Sequence, residues 1–218
     1  MDWATTAAHH IIDNPATHED HLEIHRKGRI VLLADRSTNF FGKSELKLRT
    51  SKIDGDRTIA AAKLKPTYHG CRVLLGDPDD RKSRKGWQET ETSGTYFSRY
   101  QIVWQGRKYY WKRLDLDSNH KLHTLPSGED SMELVSADDM DAILAVYTKN
   151  TAGVPHEQAR IDYMQDLGQD LEHLVLISAM ALIMNQALLR KARGMPLAQG
   201  PFPLTGGIVT VPYASSSY

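Results

Sequence analysis

A single cysteine, Cys71, among 218 residues excludes an internal disulfide and fits a reducing compartment. Net charge is missing too: 27 basic side chains face 27 acidic ones, so global charge names no partner. No apolar run approaches the roughly twenty residues that a spanning helix needs. The longest, Leu174 to Met184, is interrupted by Ser178. Met1 to Pro15 has no basic stretch followed by an apolar one, so no secretory leader is expected. Also absent are a Gly-x-Ser-x-Gly nucleophile elbow, a Gly-rich phosphate cradle and any repeat at a solenoid period. These absences lead us to expect a soluble, intracellular, non-enzymatic protein without a cofactor. The expected place is the cytoplasm, with peripheral membrane attachment or the nucleus as further options.

What is present suits one domain. Hydrophobic residues make up 40% and charged residues 25%, enough for a chain of this length to bury a core without staples. Residues 1–20 read as a polar, His-rich, flexible lead-in ended by Asn14-Pro15, with the organised domain spanning 21–194. Short alternating or β-branched runs then recur between turn signals: Leu22-Glu-Ile24, Arg29 to Ala34, Glu45 to Arg49, Thr58 to Leu64 and Tyr68 to Leu75. Asp54-Gly55 marks a tight hairpin. The clearest hairpin pairs Tyr96–Trp104 with Lys108–Leu114 through Gln105-Gly106, and its aromatic residues suit cross-strand pairing. Met132 to Val135 and Ile143 to Tyr147 add two more strands, separated by the acidic turn Asp138 to Asp141. So many short strands predict a barrel or sandwich.

The pattern changes near Asp170. Leu171 to Ala192 contains neither Gly nor Pro, and its middle is apolar on every face. Acids at Asp170 and Glu172 and bases at Arg190, Lys191 and Arg193 match the two ends of a helix dipole, and Gly194 and Pro196 stop it. The spacing predicts a helix over about 170–193. A helix apolar all round must be hidden on all sides, and the inside of a barrel does this. The tail 195–218, rich in Pro, Gly and Ser, reads as mostly irregular, with Ile208 to Tyr213 able to add a strand to a protein partner.

The hairpin Tyr100 to Arg113, the segment Met132-Glu-Leu-Val135 followed by Ile143 to Tyr147, and the helix Leu171 to Leu188 ending in Arg190-Lys-Ala-Arg193 occur in a familiar order. In these features the chain resembles the tubby C-terminal-like group, which includes the LURP-one-related and scramblase-like proteins, and most of all its small fungal members. The likeness spans Leu22 to Arg193. The loop 78–94 and the tail depart from it, and the first half matches in strand pattern alone. The resemblance implies a closed antiparallel β-barrel of about twelve strands around a central hydrophobic C-terminal helix. It also implies phosphoinositide binding through basic residues, although the family's lipid-binding positions have no one-to-one match here.

Charge is unevenly spread. Residues 81–113 carry a net +7 and residues 114–173 a net −10. The basic half could hold an anionic ligand, or the two halves could neutralise one another across the fold. Arg81, Lys82, Arg84, Lys85 and Trp87 form the leading candidate site, for an anionic lipid surface. A solvated loop is the plain alternative. Arg107, Lys108, Lys112 and Arg113 interleave with Tyr109, Tyr110 and Trp111 as in single-strand nucleic-acid platforms. Alternation on a strand would place half of these in the core, so nucleic acid is not the expected partner. His18, His21 and His25 are the sharpest metal pattern, weakened if the segment is a strand, where the last two stand about 13 Å apart. His69 and Cys71 could share a strand face as a nucleophile pair, and packing would explain Cys71 equally. Asp138, Asp139 and Asp141 lack the glycine and terminal glutamate of a calcium loop. An adaptor acting through the tail, or an enzyme with an unrecognised site, are the competing functions.

Overall fold

The structure is a computed structural model, and it describes residues 8–13, 21–38, 44–51, 55–65, 70–93, 99–113, 131–149 and 157–192. Thirteen strands form one antiparallel sheet: β1 (Ala8–Asp13), β2 (His21–Arg26), β3 (Arg29–Thr38), β4 (Ser44–Thr50), β5 (Thr58–Leu64), β6 (Cys71–Leu75), β7 (Gln88–Glu89), β8 (Glu91–Ser93), β9 (Arg99–Trp104), β10 (Arg107–Arg113), β11 (Met132–Ser136), β12 (Ile143–Lys149) and β13 (Glu157–Tyr163). The spatial order runs β7-β6-β5-β4-β3-β2-β1-β13-β12-β11-β10-β9-β8. The two ends of this row, β7 and β8, are separated in sequence by Thr90 alone. One extended segment, 88–93, therefore pairs with β6 through its first half and with β9 through its second. Taken as one strand it brings the ring to twelve and joins the sheet to itself.

Thr90 is the buried hinge of this seam. Its N–H donates to the Cys71 carbonyl at 2.8 Å, and its Oγ1 accepts the Cys71 N–H at 2.8 Å. The side chain thus replaces a ladder partner where the segment changes neighbours. On the other side, Gln88 Oε1 accepts the Val103 N–H at 2.9 Å. A buried backbone group left unpaired would cost about 1–3 kcal/mol, and Thr90 removes that cost at Cys71, whereas the Gln88 bond lies at an exposed position.

Two hairpins close on paired left-handed residues. Lys27 and Gly28, with φ of 51° and 73°, join β2 to β3, and Gln105 and Gly106, with φ of 48° and 78°, join β9 to β10. Both have the two-residue loop with positive φ that matches the twist of paired strands.

Helix α1 (Gln169–Ala192) lies inside. Nine consecutive residues, Leu174 to Leu182 with the exception of none, are at most 3% exposed. At about 100° per residue such a run covers every face of a helix, so the wall surrounds it. By length and composition Gln169–Leu189 could cross a membrane, yet 72% of its most apolar window is buried within the protein. The helix backbone runs nearest β5 and β6. There the wall is thin: Ala60 and Ala62 point inward from β5, opposite Leu75 and Val73 of β6. Across the barrel the wall is thick, with Tyr100, Trp111 and Tyr163 buried completely or nearly so.

Several polar groups of this interior pair between helix and wall, although Gln186 Oε1 is buried without a partner among the described residues. Trp111 Nε1 donates to Ser178 Oγ at 2.9 Å, and that hydroxyl donates to the Val175 carbonyl at 3.0 Å. Gln186 Nε2 donates to Tyr100 Oη at 2.7 Å. Asn185 accepts the Lys65 N–H at 2.7 Å and donates to the Gly70 carbonyl at 3.0 Å, tying the ends of β5 and β6 to the helix. At the other end, Arg26 pairs with Glu172 at 3.1 Å.

The barrel around a buried helix matches the architecture expected from sequence. Residues 8–13 differ from the flexible lead-in expected of 1–20. They form β1, hydrogen-bonded between β2 and β13 in the middle of the sheet. His10 and Ile12 point inward, and the imidazole at a core position hid the apolar alternation. Strand β13 was also not expected, although Ala159, Ile161 and Tyr163 alternate inward. The loop expected over 81–94 in fact ends in β7 and β8. The tail 195–218 and its segment Ile208 to Tyr213 lie outside the described residues.

The thin wall at β5 generates a test. Ala62→Leu would wedge a branched side chain between strand and helix, and overpacking of this kind costs about 1–3 kcal/mol. Urea unfolding should show a lower midpoint with an unchanged slope. An unchanged midpoint would mean that the helix does not press on β5.

Candidate functional site

The basic stretch lies on a loop docked to the outside of the barrel. Outward positions of β5 and β6 include Ala61 and Leu74, both fully buried though outside the interior cluster. The segment 76–87 covers them. A Cβ on Gly86 would meet Leu74 at 3.3 Å, so the short 3-10 turn Ser83–Gly86 sits directly on that leucine. Lys47 of β4 reaches Asp79 at 3.1 Å. Gly76, at φ 107°, turns the chain out of β6 and packs so close to Ser83 that a Cβ there would clash with it.

Within the loop, the carboxylates serve the backbone. Asp77 accepts the Asp79 N–H at 2.9 Å. Asp80 accepts the Lys82 N–H at 3.2 Å, the Ser83 N–H at 3.3 Å and the Ser83 hydroxyl at 3.0 Å. The Lys82 amide, then the Ser83 hydroxyl, hold the Asp80 carboxyl below its usual pKa. Arg84 Nε donates to the Pro78 carbonyl at 2.9 Å. Arg81, Lys82, Arg84 and Lys85 are all exposed. Among the described residues none of the four forms an ion pair. Four cations thus stand in five positions on a surface held by the barrel.

Trp87 is placed beside them but is engaged by the protein itself. Lys63 Nζ stands 4.4 Å from its ring centroid and the Arg72 guanidinium carbon 5.8 Å. Lys63 and Arg72 are cross-strand partners on β5 and β6, so the indole covers two more cations on the same outer face. Neither was singled out from sequence. Their outward alternation with Ala62, Leu64, Cys71 and Val73 was the available signal.

The other candidates are dispersed. His21 and His25 lie on β2, where His21 Nδ1 meets Asp35 at 2.6 Å and His25 Nε2 meets Glu23 at 3.2 Å. His18 lies outside the described residues, and among those described no cluster of His, Cys, Asp or Glu could hold a metal ion. His69 is also outside them. Cys71 is buried, and burial pushes its thiol up to about 12, the opposite of what a nucleophile needs. Asp139 accepts the backbone N–H groups of Asp141 and Ala142 at 3.1 Å, an ordinary turn bond. Of the interleaved aromatics, Tyr109 and Trp111 belong to the core, which leaves no continuous stacking face on β10.

A cleft of about 470 Å³ opens at the barrel mouth where α1 begins. Trp104, Tyr109, Leu144 and Leu171 line it together with Arg107 and Asp166. Its one cation and one carboxylate give it no strong preference for either charge.

No protein-family model matches this chain, and no characterised protein matches it in sequence.

His10 is the remaining titratable group of interest. Its Nδ1 lies 3.1 Å from Tyr163 Oη, and burial, helped by Arg26, lowers its pKa from 6.5 to about 4. The unfolded chain then takes up the proton first, so stability is lost as pH falls from about 6.5 towards 4. Burial lowers His173 as well, with the same sign. Glu172, raised chiefly by burial, works the other way: what it contributes is lost as pH rises through its folded pKa. Urea stability should drop by about 2 kcal/mol between pH 7 and pH 5 because of His10 alone. His10→Gln keeps a hydrogen-bonding group and should flatten that slope; an unchanged slope would show that His10 is not held neutral.

Proposed function

We propose that this chain is a non-enzymatic binding module that attaches to anionic, phosphoinositide-bearing membrane surfaces through Arg81, Lys82, Arg84 and Lys85. The observation that carries this reading is the docked loop. Its cations are exposed and form no ion pair among the described residues, although Arg84 also donates to the Pro78 carbonyl, while Asp77, Asp79 and Asp80 are engaged by backbone amides and Lys47. A preformed patch spends little ordering entropy on binding, unlike the same residues on a free tail. Lys63, under Trp87, adds a further cation on the barrel wall, while Arg72 beside it is offset by Glu89 at 3.7 Å.

Kinship with the tubby C-terminal-like group is part of the same proposal. Support comes from the shared plan of twelve strands around a C-terminal helix, which is a likeness of architecture, and fold alone carries little weight for function. Within this reading the protein is cytoplasmic and peripheral, and the helix serves as core.

The test is co-sedimentation with vesicles. The chain should pellet with phosphatidylcholine vesicles containing phosphatidylinositol 4,5-bisphosphate, and not with phosphatidylcholine alone, at physiological salt. At about 1 kcal/mol per basic residue, Arg81→Ala combined with Lys82→Ala should weaken binding roughly 30-fold. Raising the salt should weaken the wild type further. Equal recovery with neutral and anionic vesicles would sink the proposal.

A further inference from the structure

Ser83 stands at the centre of the basic patch, with two cations before it and two after it, in Arg81-Lys-Ser-Arg-Lys85. Its side chain is half-buried rather than enclosed, and its hydroxyl donates to Asp80 at 3.0 Å. The Ser83 N–H and the Lys82 N–H rest on the same carboxylate. The fold of the loop tip therefore converges on one carboxylate and one hydroxyl. Apart from the Lys47–Asp79 pair and the packing of Gly86 on Leu74, the bonds that hold the tip run between residues 77 and 84, and most of them are exposed. Segments held in this way open at low cost, which is what an enzyme acting on the chain requires.

We infer that Ser83 is a phosphorylation site whose modification releases the barrel from anionic surfaces. It rests on the anionic-surface reading given above and names how that site is regulated. The co-reactant is ATP, and the enzyme class is a serine kinase that reads basic residues on both sides of the hydroxyl. The Oγ–P bond forms as the bond from the γ-phosphorus to the β,γ-bridging oxygen breaks. ADP leaves, and the hydroxyl proton passes through the kinase's base to solvent.

Two consequences follow from the geometry. The phosphate brings a charge of about −1.5 to −2 into a group of four cations and cancels close to half of it. Lost attraction of that size corresponds to roughly 30-fold weaker binding at about 1 kcal/mol per charge. The phosphate also replaces the hydroxyl that Asp80 now accepts. Two anions cannot share that position, so the contact turns from attractive to repulsive and the tip is pushed off its carboxylate. The patch loses both charge and shape in one event. Arg81 and Lys85, without ion pairs among the described residues, are then available to the phosphate rather than to lipid.

The experiment uses the full chain in three forms: wild type, Ser83→Ala, and a chain with phosphoserine installed at position 83 during synthesis. Wild type treated with ATP and the catalytic domain of a basophilic serine kinase should gain one phosphate at Ser83 by mass spectrometry, and Ser83→Ala should gain none there. In co-sedimentation with vesicles of phosphatidylcholine and phosphatidylinositol 4,5-bisphosphate, wild type and Ser83→Ala, which keep all four cations, should both pellet, and the phosphoserine form should bind roughly 30-fold more weakly than either. Modification of a peptide covering residues 78–88 but not of the folded chain would overturn the site. Equal binding of wild type and the phosphoserine form would overturn the switch while leaving the anionic-surface reading standing. Failure of wild type itself to prefer anionic vesicles would remove that reading and the switch with it.

Discussion

The enclosure of α1 governs the rest of the molecule. A helix without a polar face loses its driving force unless wall surrounds it on every side, and each large apolar side chain left in water would forfeit about 1.5–3 kcal/mol. The wall answers unevenly. Ala60 and Ala62 let the helix approach β5, while Tyr100, Trp111 and Tyr163 fill the wider gap opposite. The polar handles of the aromatic residues then need partners, and the helix supplies two of them as Ser178 and Gln186. Size and hydrogen bonding are thereby solved by the same residues, so helix and wall specify one another.

How much of this was legible depends on which force dominated locally. The helix was plain because its apolar residues cover all faces and its ends carry opposite charge. The β9–β10 hairpin was plain because Gln105-Gly106 joins two aromatic strands. Strand β1 was hidden because His10 occupies an interior position, made tolerable by Tyr163 and by loss of its proton. Strand β13 carries its inward alternation in Ala159, Ile161 and Tyr163, masked by the charged residues Glu157, Arg160 and Asp162 beside them. The seam at 88–93 could not be read, since its pairing depends on Thr90 and Gln88 using side chains where the ladder changes partners.

The basic patch shows the same division. Sequence displayed four cations and a tryptophan. It did not display that the loop is fastened over Leu74 and Ala61, that Asp80 is spent on backbone amides, or that Trp87 covers Lys63 and Arg72. Those facts arise from contacts between residues distant along the chain. They give the charged stretch a fixed place and shape on the barrel wall.

The order of the elements has a consequence for synthesis. The ring of strands is encoded first and its occupant last, since α1 follows β13. A ribosome releasing this chain delivers every wall before the rod that must stand inside them. The walls cannot shut on an empty interior without burying a void, so the nascent sheet stays ajar until residue 192 emerges. Segment 88–93, held by short pairings on both sides, is the natural leaf to swing closed last. For that interval the chain presents open strand edges, the places most exposed to wrong pairing.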